Sequence, residues 1–129
     1  MSTAPAADEE PAKKIRLVIA EDETMTREML ARLLTLEDDI EVVGTAADGQ
    51  RALSVIRAQK PDVLLTDIGM PQVNGIQLTE TLRREFPSVG VVILTIYNDD
   101  ERVFSAIKAG ARGYVLKDSP PEETIAAVR

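Results

Sequence analysis

From Ile15 onward, short apolar runs rich in β-branched residues alternate with amphipathic stretches of about 10–13 residues, the pattern of alternating strands and helices. The first strand is Ile15 to Ala20. The helix after it spans Thr24 to Leu36 and gathers Met29, Leu30, Leu33 and Leu34 on one face. A second strand, Ile40 to Ala46, carries more polar positions and suits a sheet edge. The helix from Gly49 to Gln59 packs through Ala52, Leu53 and Ile56. Val63-Leu64-Leu65 is a continuous apolar run of the kind buried on both faces of a parallel sheet. Gly75 to Phe86 is helical, with Ile76, Leu78 and Leu82 inward, and Val89 to Thr95 is a second fully apolar strand. A helix from Asp100 to Ala109 stops at Gly110, where a positive φ costs glycine nothing. Gly113 to Leu116 is the fifth strand, and Pro120-Pro121 opens a last helix that reaches Arg129. Five such repeats with right-handed crossovers make a doubly wound parallel α/β sheet with helices on both faces. Residues 1–14, rich in Ala, Pro and charge, carry no periodicity and read as a disordered tail.

Composition narrows the chemistry. The 129 residues contain neither Cys nor His, which removes disulfides, thiolate or imidazole nucleophiles and His or Cys metal sites. A net charge of −7, with 15 basic against 22 acidic residues, opposes direct DNA binding by this segment. Two Tyr, two Phe and no Trp leave few platforms for base stacking. The apolar runs are strand-sized, far below the roughly 20 residues of a membrane span, and the N-terminus has no secretory pattern. The expectation is one cytoplasmic domain that touches no membrane.

In a doubly wound sheet, ligands bind beyond the carboxyl ends of the strands where strand order reverses. The residues placed there are Glu21 and Asp22 after strand one, Asp67 after strand three, Thr95 at the end of strand four and Lys117 after strand five. Three clustered carboxylates repel one another unless one is protonated or a cation is held. Oxygen-only ligands select a hard divalent ion, most plausibly Mg2+. A carboxylate beside Mg2+ can attack phosphorus, with Lys117 and the Thr95 hydroxyl meeting the transferred oxygens. Taken singly, each carboxylate is more often a helix cap or solvated surface, and Asp22 sits where a cap would. Convergence of five polar residues on one rim outweighs that reading.

The chain resembles the receiver domain of bacterial two-component response regulators across residues 15–129. The resemblance rests on Glu21-Asp22, on Asp67-Ile-Gly-Met-Pro-Gln-Val-Asn-Gly75, on Leu94-Thr95 and on Gly113-Tyr-Val-Leu-Lys-Asp118. It implies a flavodoxin-like sheet of order 2-1-3-4-5, and Asp67 as phosphoacceptor. It also implies Mg2+ held by Asp22, Asp67 and the Gly69 backbone carbonyl, with Glu21 acting mostly through water. Lys117 would pair with the phosphoryl group, Thr95 would bond one of its oxygens, and Tyr114 would swing inward as Thr95 moves. Without the Thr95 partnership, Tyr114 would read as core filling. Met70-Pro71 and Asn74-Gly75 would shape the loop into the third helix, or serve as ordinary turn residues. The phosphoryl donor in this family is a phosphohistidine, so a chain without histidine needs a sensor histidine kinase or a small acyl phosphate.

Glu37-Asp-Asp-Ile-Glu-Val-Val-Gly44, Asp48-Gly49, Ala109 to Tyr114 and Lys117-Asp-Ser119 resemble the NarL/FixJ (LuxR-type) branch. Members of that branch usually carry a C-terminal helix-turn-helix domain that binds promoter DNA and controls transcription. The expectation is therefore a receiver at 15–129 with a shortened last helix, cut from a longer regulator. The resemblance also implies a phosphorylation-dependent homodimer and a readout face built by helix four, strand five and helix five. Three departures stand out. Gly69 offers no side chain where many receivers place a polar group. Ile96 follows Thr95 where a small residue is usual, with Tyr97 next. Asp118 replaces the commoner proline after Lys117, where the usual cis bond would cost about 3 kcal/mol. The first two suggest slow autodephosphorylation. A haloacid-dehalogenase-like phosphatase would want a second acid at position 69 and a cap domain, and a flavodoxin-like electron carrier would want a phosphate loop after strand one. A phosphorylation-independent interaction module is the remaining alternative.

Overall fold

Five parallel strands form one sheet in the order β2-β1-β3-β4-β5. In chain order the elements are β1 (Ile15–Ala20), α1 (Thr24–Thr35), β2 (Ile40–Ala46), α2 (Gly49–Gln59) and β3 (Val63–Asp67). They continue as α3 (Gly75–Glu85), β4 (Gly90–Thr95), α4 (Asp100–Ala109), β5 (Gly113–Leu116) and α5 (Pro121–Val128). The computed structural model describes residues 13–70, 72–96 and 100–129. The expected tail over 1–12, Pro71 and Tyr97 lie outside the described residues.

Side chains alternate across the strands, so each strand feeds two cores. Val18, Ala20, Leu64, Val91 and Ile93 face α2, α3 and α4 and meet Ala52, Ile56, Leu78, Leu82 and Ala106. Leu17, Ile19, Val63, Leu65, Val92 and Leu94 face the other way, toward Leu30 and Leu34 of α1 and Val128 of α5. All five residues of β3 are buried: the apolar run Val63–Leu65, as expected, and Thr66 and Asp67 after it. β2 lies at an edge and pairs only with β1, with a register shift opposite Leu17/Val18. The chain passes from β1 to β2 on one side, then crosses back over β1 to reach β3. Strand order thus reverses between β1 and β3, and the carboxyl ends of those strands open a crevice.

Local signals set the helix ends. The Asp48 side chain accepts from Arg51 N at 2.8 Å and caps α2. Asn74 and Gln77 form a reciprocal capping box at the start of α3, with bonds of 2.9 and 3.0 Å. Gly110 has φ +118° at the end of α4, as its position after the last helical turn predicted.

Three expectations are corrected. Met29 is 59% exposed, so α1 packs through Leu30 and Leu34 alone among its fully buried residues, and its apolar stripe continues onto the surface. Strand three extends to Asp67 itself, because Thr66 and Asp67 keep the parallel ladder to Ile93 and Leu94. The helix caps also fall one residue earlier than expected at Leu36 and Phe86, where the chain has left the helical ladder. Among the described residues no helix is long and apolar enough to cross a membrane.

Candidate functional site

The crevice collects the polar residues expected there. Glu21 directly follows β1, Asp67 ends β3, Thr95 ends β4 and Lys117 follows β5. One carboxylate oxygen from each of Glu21, Asp22 and Asp67 lies within 4.8 Å of the others. Glu21 and Asp67 are buried, whereas Asp22 is exposed at the mouth. Lys117 Nζ lies 2.7 Å from Glu21 Oε1 and 3.4 Å from Asp67 Oδ2. A single ammonium therefore bridges two of the three acids.

Backbone geometry fixes these side chains. Lys117 N donates to Thr95 O at 2.8 Å and Ser119 N to Leu116 O at 3.0 Å, so the turn after β5 is anchored to the end of β4. Every peptide bond among the described residues is trans, the one joining Lys117 to Asp118 included. Glu21 N donates to Ala46 O at 3.0 Å, and Glu21 Oε2 accepts from Glu23 N at 3.0 Å. Glu21 Oε1 is held by the Lys117 ammonium. The N-cap of α1 is Glu23, whose side chain meets Thr26 Oγ1, so Asp22 is not a helix cap. Its position fits a ligand better than a capping role.

The charges respond to burial and to one another. Burial pushes the Glu21 carboxyl above its ordinary range and the Asp67 charge adds to that, while the Lys117 and Glu23 hydrogen bonds pull the other way. Burial alone would lower the Lys117 ammonium, but the Glu21 hydrogen bond and the two carboxylate charges outweigh it and raise it. A site with more anionic groups than cations and with oxygen ligands alone suits a hard divalent cation.

The remaining expected residues are placed as follows. Thr95 is fully buried at the end of β4, and Gly69 is exposed two residues beyond Asp67. Gly69 N donates to Asp67 Oδ1 at 3.4 Å. Tyr114 lies on β5 at 45% exposure, facing outward rather than filling a core, and Ile96 is 70% exposed. Asn74 is the N-cap of α3 and shapes the entry into that helix.

Several residues at the site had no signal in the sequence pattern. Arg27 Nη1 donates to Glu21 O at 2.8 Å and ties α1 to the turn that presents Glu21 and Asp22. Thr66 is fully buried behind Asp67 and its hydroxyl donates to Asp67 O at 3.0 Å. Gly75 N donates to Ile68 O at 2.9 Å, and a β-carbon at Gly75 would lie 2.9 Å from Ile68 Cα. Only glycine lets the start of α3 sit this close behind Asp67.

Comparison with known proteins identifies the family. Residues 17–129 match the model of the response regulator receiver domain. The chain is 44% identical to the transcriptional regulatory protein YhcZ of Bacillus subtilis over 111 residues, covering 86% of this chain and 52% of that protein. It is 40% identical to the transcriptional regulatory protein DegU of Brevibacillus brevis, covering 90% of this chain and 49% of that protein. The chain thus spans about half the length of the curated relatives it matches. Among solved structures, it resembles the signal receiver domain of the putative response regulator NarL from Mycobacterium tuberculosis. That match has a TM-score of 0.86 at 36% identity, over 90% of this chain and 94% of the other. The chain belongs to the response regulator receiver domain family, with relatives and structural neighbours of the NarL/DegU/LuxR type.

Proposed function

We propose that this domain is a phosphorylation-activated switch with Asp67 as its phosphoacceptor. The observation that carries the reading is the Lys117 ammonium bridging Glu21 and Asp67 within a cluster of three carboxylates. Asp22, Asp67 and the Gly69 carbonyl would hold Mg2+, with buried Glu21 at its outer side. When bound, Mg2+ supplies positive charge that offsets the transferring phosphoryl oxygens. An Asp67 carboxylate oxygen forms the bond to phosphorus as the P–N bond of a phosphohistidine breaks, and the departing imidazole nitrogen takes a proton from solvent. The donor is a sensor histidine kinase, since this chain has no histidine.

A phosphoryl group adds about −1.5 to −2 charges and three strong acceptors. Lys117 then has a stronger partner than Asp67 alone, and the buried Thr95 hydroxyl is placed to turn toward it. Space vacated by Thr95 admits Tyr114, now 45% exposed. The shift biases an inactive–active equilibrium. Its readout is the surface of α4, β5 and α5, where Phe104, Ile107 and Tyr114 already stand exposed. In a longer regulator this surface would govern phosphorylation-dependent dimerisation and a DNA-binding output domain that regulates transcription. The domain promotes only its own phosphoryl transfer, and with no side chain at Gly69 to orient a hydrolytic water it releases the group slowly.

Incubation with acetyl phosphate and Mg2+, followed by intact mass, tests this reading. One phosphoryl group on the wild-type protein and none on Asp67→Asn is expected. Multiple-turnover phosphate release would favour a phosphatase, and no mass gain in either protein would favour an interaction module.

A further inference from the structure

Between Asp67 and α3 the structure describes residues 68–70 and 72–74, and α2 meets this connection at Val73, remote from the carboxylates. A β-carbon built at Gly49, the first residue of α2, would lie 2.6 Å from Val73 Cβ and 2.9 Å from Val73 C, with the carbonyl oxygen nearer still. These are mostly backbone atoms, which cannot rotate aside. The φ of Gly49 is not in the left-handed region, so contact and not backbone strain is what excludes a side chain there. Val73 is half-buried and packs against the core shared by α2 and α3. Next to it, Asn74 enters the α3 capping box and Gly75 abuts Ile68. Two close backbone approaches therefore flank the connection, Gly75 behind Asp67 and Ile68 and Gly49 beneath Val73.

We propose that Gly49 is a positioning residue for the phosphoacceptor loop: its missing β-carbon lets Val73 seat against the first turn of α2, which fixes where Gly69 and Asp67 present their oxygens. The inference rests on the proposed phosphoacceptor site. An alanine at Gly49 has to push Val73 back by about 1 Å in a close-packed region. Displacements of that size remote from the chemistry cost up to about 100-fold in positioned reactions. Judged by helix propensity alone, alanine in place of glycine would instead be favoured, so the two views predict opposite results.

Gly44 provides a control on the same helix layer. A β-carbon there would meet Val55 Cγ1 at 2.5 Å, a side-chain atom of α2 and not backbone of the connection between Asp67 and α3. The test measures thermal stability, the Mg2+ dissociation constant by calorimetry and the rate of phosphorylation by acetyl phosphate for the wild type, Gly49→Ala and Gly44→Ala. Gly49→Ala should weaken Mg2+ binding about tenfold and slow phosphorylation at saturating Mg2+ by a similar factor. Gly44→Ala should lose thermal stability while keeping both functional values close to wild type. Should Gly49→Ala fail to fold, Val73→Gly carries the test, because it frees the loop without a clash and should weaken Mg2+ binding severalfold. Wild-type Mg2+ affinity and rate in folded Gly49→Ala, or in Val73→Gly, would overturn the inference. An equal functional loss in Gly44→Ala would also overturn it. A wild-type protein that neither binds Mg2+ nor gains a phosphoryl group would instead overturn the proposed phosphoacceptor site, and the inference with it.

Discussion

Replacing Lys117 with methionine isolates the electrostatic core of the site. The ammonium lies 2.7 Å from Glu21, which is 1% exposed, and 3.4 Å from Asp67. At an effective dielectric near 20, opposite charges about 3 Å apart attract by about 5 kcal/mol. Desolvation of the ammonium, whose side chain is 22% exposed, offsets part of that. Methionine retains most of the packing of the stem, so the net loss at pH 7 should be about 2–4 kcal/mol, from leaving two buried carboxylates without their cation. The Glu21 carboxyl already lies above its ordinary value, and removal of the lysine raises it further. A carboxyl raised in the folded state favours folding below its unfolded value of 4.5, and that contribution is lost as pH rises through the folded value. The deficit of the variant should therefore shrink on acidification toward pH 4.5 and widen again toward neutrality. Mg2+ should restore part of the lost stability by replacing the missing charge. Urea unfolding of both proteins at pH 5 and pH 7, with and without Mg2+, checks each point. A variant as stable as wild type at pH 7, or a deficit that does not change with pH, would refute the electrostatic account of the crevice.

Other predictions address separate parts of the structure. Asp22→Ala removes an exposed side chain and should leave apo stability unchanged while abolishing the rise in melting temperature that Mg2+ gives the wild type, read by thermal scans across a Mg2+ titration. Asn74→Ala breaks the reciprocal cap of α3 and should cost about 1 kcal/mol in urea unfolding. The Lys117 ammonium is raised from 10.5 in the folded state, so its contribution is complete below that pH and should disappear as pH climbs through the higher folded value, which alkaline denaturation would follow. Asp39 is held below its ordinary 3.8 by the Arg129 guanidinium, so the pair stabilises above that pH and its contribution is lost on acidification. Arg129→Ala should flatten that acid limb.

Legibility from sequence followed burial. β3 and β4 announced themselves because both faces are covered and the runs Val63–Leu65 and Val91–Leu94 are unbroken apolar. α1 misled at Met29 because its stripe of large apolar residues is wider than the face it buries, and propensity cannot tell a core position from an exposed one on the same side. The carboxylates and Lys117 were readable because the ends of parallel strands converge by topology. Their pairing was not, since which acid Lys117 meets depends on the turn after β5, and it meets Glu21 more closely than Asp67. Arg27, Thr66 and Gly49 act through backbone approaches between elements far apart in the chain, and no local pattern records those.

The central claim is that the chemistry occurs on Asp67 and on no other acid of the crevice. After phosphorylation by acetyl phosphate and Mg2+, reduction of the acyl phosphate with borohydride and peptide mass spectrometry locates the modified residue. The account predicts a single modified position, Asp67, with Glu21 and Asp22 intact. Modification at Asp22 or Glu21, or of several acids at once, would contradict it.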